Sequence, residues 1–566
     1  MGLLIGESNE VMDYSDTKKL QKKLKYIAAW QLSILLTKYE CFTKSEEEMY
    51  KYGTELEAHM LTKNKEEGST LKYSVYTKHK HFFDKLSVPS LPIEIHIEFA
   101  SWMVEFLPLM PFNDFLNVNE LNKHYNDLNT FSGSLDDPII LNGLSVLPIV
   151  GIEGYYRVND KLIPINEVEG NNKFSHSKSF LDEGISPHSR FRGFTKNFID
   201  RRKRIINTSL PVYKDKLSTV TNLTLDHFGF GMCNTALQIT FSCKDLTEAR
   251  YSYDQMHILS PLFLVLSSST FASKGYLIDT DNRFNILEQS SDDRTARELG
   301  TIKFSRFSPA VYYISNDKRC KKEFNDQKPT FNISFKKNLI RKLKENGCRL
   351  WKDKKLINHF SYLFIRDCMI FFPDWEFTDQ EPKNTNEFES IQSSNWNDVR
   401  LKPPPNFNSD FGWRLEFRPM DTPITVIEKT ALTLLATIMY RMINDKELKL
   451  NFYCKMEHVH DNFLESRKLG AMTEGRFTIR KYICPILQDN NQTDETVEVS
   501  MYEFLEGSSS FIGIRKVIEL FFKNLKNSTI QNITEDEFWR YFNLLVKRAK
   551  GDLKTLPQVL REFFRN

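Results

Sequence analysis

A chain of 566 residues with 40% hydrophobic and 13% aromatic side chains can bury a sizeable core, which excludes disorder, while 27% charged residues exclude a membrane-embedded protein. The 77 Lys and Arg nearly cancel the 74 Asp and Glu, leaving +3, which disfavours nucleic acid as the principal partner because phosphate-backbone binding draws on a basic surplus. Length alone admits about two to four domains, or one large interrupted enzyme domain.

The opening residues, Met1 to Gly6, lack the basic region and apolar run of a signal peptide, and Gly6 stands where a myristoylation signal needs Ser or Thr. Leu20, Leu24, Ile27, Ala28, Gln31 and Leu35 form a stripe that predicts the first helix. Alternation of polar and apolar residues predicts strands over 52–61, 93–105, 205–213, 234–242 and 413–418. Helical period returns over 337–367, 427–444, 464–473, 512–526 and 534–550. Polar connections rich in Pro and Asn lie at 374–386, 402–410 and 488–496, and 486–500 is expected to be a surface excursion. Strands and helices are dispersed with no clean linker, so the organisation expected is a single large α+β catalytic domain over 1–566 with helical insertions. The longest apolar stretch, Ala431 to Tyr440, is too short to cross a bilayer. Eight scattered cysteines without a CxxC pair read as reduced core thiols, which predicts a cytoplasmic protein.

Four segments carry chemistry. In the strand around Gly53, Glu55 and Glu57 project from one face, where they form either a solvated surface or a shelf of hard oxygen ligands for Mg²⁺. Glu98 and Glu105 interrupt an apolar pattern; they differ in parity, so a bulge or turn must lie between them if both face one site. The run Phe228-Gly229-Phe230-Gly231-Met232 precedes a strand whose polar face carries Gln238 and Thr240, and its glycines suit a flexible turn near a ligand. Arg414, Glu416 and Arg418 share a strand face, as an ion ladder or as a metal ligand flanked by two phosphate-binding forks. Ser291-Asp292-Asp293-Arg294-Thr295 adds an arginine in a polar loop. The pairs His79/His81 and His458/His460 lack a third ligand at suitable spacing and read as surface positions, as Arg201-Arg202-Lys203-Arg204 reads as a solvated turn. No P-loop, nucleophile elbow or kinase signature is present, so ATP chemistry here would run through carboxylates and metal.

The ordered motifs Gly53-x-Glu55-Leu56-Glu57, Ser177-Lys178-Ser179, His188-x-Arg190-Phe191, Ala249-Arg250-Tyr251-x-Tyr253-Asp254, Asp292-Asp293-Arg294-Thr295, Phe364-Ile365-Arg366-Asp367, Ile391-Gln392-Ser393-x-Asn395-Trp396, Lys402-Pro403-Pro404, Gly412-Trp413-Arg414-x-Glu416-Phe417-Arg418-Pro419 and Lys547-Arg548-Ala549-x-Gly551 span nearly the whole chain. Together they resemble the catalytic subunit of eukaryotic glutamate–cysteine ligase (γ-glutamylcysteine synthetase). The resemblance implies a glutamine-synthetase-like core, a curved and mainly antiparallel sheet forming a funnel flanked by helices. It implies ATP-dependent ligation of the γ-carboxyl of L-glutamate to the amine of L-cysteine through a γ-glutamyl phosphate, the first step of glutathione biosynthesis. It also implies Mg²⁺ held by Glu55, Glu57, Glu98, Glu105, Gln238 and Glu416, with Gln238 beside the substrates as well. Arg418 would face the phosphates, Arg294 the glutamate, and Trp396 the substrates. A modifier subunit accompanies animal members, and neither nucleic acid nor membrane is implied.

Several positions depart from the family pattern. Thr54 replaces an acidic residue, Ala236 a frequent Cys, and Phe106-Leu107-Pro108 replaces Gly-Thr-Pro. A family helix with Val-Glu-x-Asn-Met is not recognisable in Val118-Asn119-Glu120-Leu121-Asn122, and Lys123-His124-Tyr125 takes the place of its basic end. These departures leave open an alternative, a catalytically inert or specificity-altered homologue acting as a regulatory or binding partner. An inert homologue predicts that the six metal ligands do not converge.

Overall fold

Alternation of polar and apolar side chains along eight segments builds one antiparallel sheet, and the computed structural model shows how its register sorts the two kinds of residue. The structure describes residues 10–45, 50–63, 73–78, 82–83, 92–113, 118–134, 139–152, 155, 157–158, 161–162, 174–375, 380–488, 493–526 and 535–565. The strands are β1 (Tyr52–Lys63), β2 (Tyr73–Val75), β3 (Ile93–Ile97), β4 (Met103–Pro108), β5 (Ile139–Asn142), β6 (Leu237–Ser242), β7 (Val399–Lys402) and β8 (Arg414–Phe417). Their order is β7-β8-β6-β1-β4-β3, with β2 and β5 also paired to the long β1.

Residues directly opposite in an antiparallel pair share a face. Glu55 lies opposite Gln238, Glu57 opposite Glu105, and Glu105 opposite His96. Glu416 lies opposite Thr240 on one side and Arg400 on the other. One face therefore collects the charged side chains. The other face presents Leu56, Leu237, Ile239, Phe241, Leu401, Leu415 and Phe417, all buried.

Helices cover this apolar face. We label α1 (Tyr14–Lys38), α2 (Val118–Ser134), α3 (Ser189–Arg202), α4 (Leu246–Leu266), α5 (Ile333–Glu345), α6 (Lys354–Leu363), α7 (Asn386–Ser393), α8 (Val426–Ile443) and α9 (Met456–Ser466). Phe263 of α4 meets Phe417 edge-on, with ring centroids 5.1 Å apart, and Tyr440 of α8 stacks on Phe241 at 4.3 Å. The α4 helix starts at Asp245, whose side chain accepts from the Glu248 amide, and nearly every residue along it is buried. Buried charges along it are paired: Arg250 pairs with Asp353 at 2.6 Å, and Asp254 accepts from the amides of Ile314 and Ser315. Thr54 points to this helical side, with its hydroxyl 3.4 Å from His124 Nε2 on α2. The family departure at Thr54 thus falls on the packing face of the sheet, away from the charges.

The architecture is mixed helix and antiparallel sheet, the expected α+β class. Several boundaries differ from expectation. The segment 93–105 is a hairpin, β3 and β4 joined by a turn, so the parity conflict between Glu98 and Glu105 is resolved by the turn. The helix expected over 337–367 breaks into α5 and α6 at Gly347, whose φ of 68° suits a glycine after a helix end. That expected over 464–473 is instead α9 followed, after Gly470 at φ 73°, by the short helix Ala471–Glu474. The strand in 205–213 is Thr208–Pro211, and the excursion at 486–500 includes the strand Thr496–Val499 laddered to Phe477–Arg480. Met1 to Gly6, His79, His81 and 489–492 lie outside the described residues.

Arg201 is a core residue, not part of a solvated turn: it is 3% exposed and pairs with Asp293, Glu298 and Asp367. Cys41 is exposed and the other seven cysteines are buried; all eight are free thiols. Among the described residues no helix is long and apolar enough to cross a membrane.

Candidate active site

The charged face of the sheet floors a cavity of about 620 Å³. Glu55 and Glu57 reach it from β1, Glu105 from β4, Gln238 from β6 and Glu416 from β8, while Glu98 enters from the turn after β3 and Arg418 from just beyond β8. Each of these positions alternates with a buried apolar neighbour, so core packing on one side of the sheet fixes the charges on the other.

The floor divides into two clusters. In the first, Glu57, Glu98 and Glu105 each bring an oxygen within 4.8 Å of the others. Glu57 accepts from the Ala236 amide at 2.8 Å and from Gln238 Nε2 at 3.1 Å, and Glu98 accepts from the Phe99 amide at 3.0 Å. Burial, followed by repulsion from Glu57, pushes Glu98 up to about 8. Burial raises Glu105 well above the ordinary carboxylate range, with the charges of Glu55, Glu98 and Glu57 adding to it. Glu57 is raised chiefly by burial, against Arg283, the Ala236 amide and Arg418. Gln238 Oε1 is buried and without a hydrogen-bond partner. Three crowded carboxylates beside an orphaned amide oxygen form a hard donor set that fits a divalent cation.

In the second cluster the charges are already matched. Glu416 is 1% exposed and lies 2.7 Å from Lys402 Nζ, 2.9 Å from Arg400 and 2.9 Å from Arg418. Burial alone would raise its carboxyl; Arg400, Lys402 and Arg418 hold it well below the usual range. Lys402 also stands 3.6 Å from Glu55, which accepts from the Thr240 hydroxyl at 3.3 Å. The six expected metal ligands thus share one cavity, with four in the first cluster and Glu55 and Glu416 in the second.

Of the other expected residues, Trp396 lines the cavity, stacked on Phe307 at 4.6 Å, and Arg418 does so beside Glu416. Arg294 does not line it. Asp292 takes its guanidinium in a fork, at 2.9 and 2.7 Å, and the carbonyls of Ile302 and Lys303 take two further donors. The arginine that does line the cavity from this part of the chain is Arg283, 7% exposed, within the field of Glu57 and donating to the Arg418 carbonyl at 3.0 Å. Gly229 and Gly231 belong to a helical turn without positive φ, in place of the flexible turn expected. A Cβ at Gly231 would approach Ser290 Oγ at 2.5 Å and Leu287 Cα at 2.8 Å, so close packing demands that glycine.

Sequence reasoning passed over Arg283, Arg190, Arg400 and Lys402 as site residues. The alternation Val399-Arg400-Leu401-Lys402, running into three prolines, is the signal that would have found the last two.

A cavity whose floor sets a hard-cation site beside a lysine and several arginines is built for an enzyme that brings phosphate and carboxylate groups together. The chain belongs to the glutamate–cysteine ligase family, whose model matches residues 3–566. It is similar to the glutamate–cysteine ligase of Dictyostelium discoideum, 33% identical over 466 residues, covering 74% of this chain and 71% of that protein. It is likewise similar to the human glutamate–cysteine ligase catalytic subunit, 30% identical over 521 residues, covering 84% and 78% respectively. The Schizosaccharomyces pombe glutamate–cysteine ligase is 30% identical over 497 residues, covering 83% and 71%.

Proposed function

We propose that this chain joins the γ-carboxyl of L-glutamate to the amine of L-cysteine with ATP, through a γ-glutamyl phosphate, as the first step of glutathione biosynthesis. The observation that carries this reading is the gathering of Glu57, Glu98, Glu105 and Gln238 beside Arg283 and Arg418 in one cavity. An inert homologue predicts dispersed ligands, so this gathering counts against it.

The chemistry asks for such a floor. A carboxylate must approach a triphosphate, and both are anions. Glu57, Glu98, Glu105 and Gln238 are the residues that would hold Mg²⁺, with Glu55 and Glu416 at the side of the phosphates. Bound there, Mg²⁺ would neutralise the phosphate charge and polarise the transferring group. Arg418, Arg400 and Lys402 supply fixed positive charge where negative charge grows during transfer. Arg283 takes the role that resemblance assigned to Arg294, facing the α-carboxylate of glutamate. Trp396 walls the substrates from water, and no protein nucleophile is needed.

The finer architecture we propose is the glutamine-synthetase-like funnel within one catalytic domain. The antiparallel sheet, covered by helices on its apolar face, supports it, as does one buried cluster running from Tyr14 to Ala549. Buried free thiols support a cytoplasmic location. The human relative's name, a catalytic subunit, motivates a search for a modifier subunit by co-purification. Release of ADP in a coupled assay with glutamate, cysteine, ATP and Mg²⁺ tests the reading: turnover should require both amino acids, and its absence overturns it.

A further inference from the structure

We propose that Arg190 holds the α-carboxylate of the acceptor amino acid while its amine displaces phosphate from the γ-glutamyl carbon. The inference rests on the ligase reading above and names the residue that makes the acceptor an amino acid instead of a simple amine.

Arg190 stands in the first turn of α3. The N-cap His188 fixes that turn by accepting the Arg190 amide on Nδ1 at 3.1 Å. The side chain lines the cavity and makes one hydrogen bond, from a terminal nitrogen to Ser393 Oγ at 3.3 Å. It forms no ion pair among the described residues. Of the cavity's other cations, Arg400, Arg418 and Lys402 pair with Glu416, Arg283 lies 3.6 Å from Asp421 and is the one assigned to glutamate, and Arg414 has one neutral partner of its own, the Pro403 carbonyl at 2.8 Å. A largely buried guanidinium with one neutral partner has donors left for an anion, and its planar fork matches a carboxylate.

Position decides which anion. The amine and carboxylate of an α-amino acid are joined through a single carbon. A cation that holds the acceptor's carboxylate must therefore stand beside the metal cluster where the acyl group is activated. Arg190 meets this condition, because it lines the same cavity as Glu98 and their chain neighbours Phe191 and Phe99 are in ring contact. Arg400, Lys402 and Arg414 belong to the β7–β8 side, with Glu416 and Glu55, where phosphate is expected. Around Arg190 the walls are aromatic. Phe191 meets Phe99 edge-on at 6.2 Å, and Phe194 meets Trp396 at 5.4 Å. Such walls exclude water and strengthen an ion pair formed between them.

The test compares wild type with R190M and R190K, using cysteine, 2-aminobutyrate and the carboxylate-free amine cysteamine as acceptors. R190M should raise KM for cysteine and 2-aminobutyrate about 10²-fold while leaving KM for glutamate and ATP within about threefold. Cysteamine should be used equally poorly by wild type and R190M, and R190K should recover part of the loss. A rise in KM for glutamate or ATP at constant KM for cysteine overturns the role of Arg190 and leaves the ligase reading intact. A folded wild type that releases no ADP with any acceptor overturns both.

Discussion

Gln238 donates from Nε2 to Glu57 Oε1 at 3.1 Å, between neighbouring strands, while its own Oε1 is buried and meets no donor. One carboxylate thereby orients the amide and leaves it with a hard oxygen to offer. A glutamine kept only for packing would be expected to fill that acceptor, because a buried polar atom without a partner costs about 1–3 kcal/mol. The Glu57–Gln238 pair is the smallest unit in which the function of this sheet can be read.

The carboxylate cluster should trade stability for activity. A carboxyl whose folded pKa is raised, such as Glu98 at about 8, favours folding below its unfolded value near 4.5, and that contribution is lost as pH rises through about 8. Metal-free E98Q should therefore melt above metal-free wild type at pH 8.5, by on the order of 1–3 kcal/mol, with the gap closing toward pH 5. Turnover should fall about 10³-fold in the same variant. Melting curves in EDTA, repeated after adding Mg²⁺ to stabilise the wild type, check both halves.

Arg283 and Arg294 can be told apart by their failure modes. R283K should cost at least about 10²-fold in kcat/KM for glutamate, since lysine cannot reproduce a two-point grip on a carboxylate. R294K should lower the melting temperature by loosening its fork on Asp292, with KM for glutamate unmoved. Steady-state kinetics beside calorimetry decide the matter, and the opposite pattern would return the substrate role to Arg294.

Lys402 neutralises Glu416 at 2.7 Å and reaches Glu55 at 3.6 Å. Removing one partner of a buried ion pair destabilises by about 3–5 kcal/mol, but here Arg400 and Arg418 remain. K402M should accordingly lose about 1–3 kcal/mol in urea unfolding and raise KM for ATP. Adding E416Q should restore part of the stability and none of the turnover.

A fourth expectation concerns His359, which burial holds neutral, down to about 3, with Arg250 nearby adding to the effect. Its unfolded counterpart gains a proton near pH 6.5 and the folded one does not, so its contribution is present above that pH and is lost as pH falls toward 3. In H359F this loss is absent. The stability of H359F relative to wild type should thus rise by about 1.4 kcal/mol for each pH unit below 6.5, measured as unfolding midpoints at pH 7, 6 and 5.

Much of the sheet was legible because β1, β6 and β8 each face helices on one side and charge on the other, so the period of two survives in their letters. The α4 helix left no such trace: apolar and polar residues alternate around its whole circumference, and Arg250, Asp254 and His257 find partners inside the protein instead of marking a solvent face. Arg294 drew its expected role from the family resemblance, yet Asp292, two residues before it, is what occupies it. Arg283 sits in Asp281-Asn282-Arg283-Phe284, an irregular stretch with no periodic pattern, and its place depends on contacts with Asp421 and Arg418, more than a hundred residues downstream. Convergence of that kind is written in tertiary contacts alone.

The two-faced sheet has a consequence for inheritance. Every reactive letter in β1, β6 and β8 is flanked by letters that fill the core, so deleting a single codon within one of these strands would turn its carboxylates inward and its leucines toward the substrates. Such a chain would lose its fold and its chemistry in the same event. Drift can therefore reach the loops and helix surfaces, as at Lys123, long before it reaches the spacing of Glu55 and Glu57.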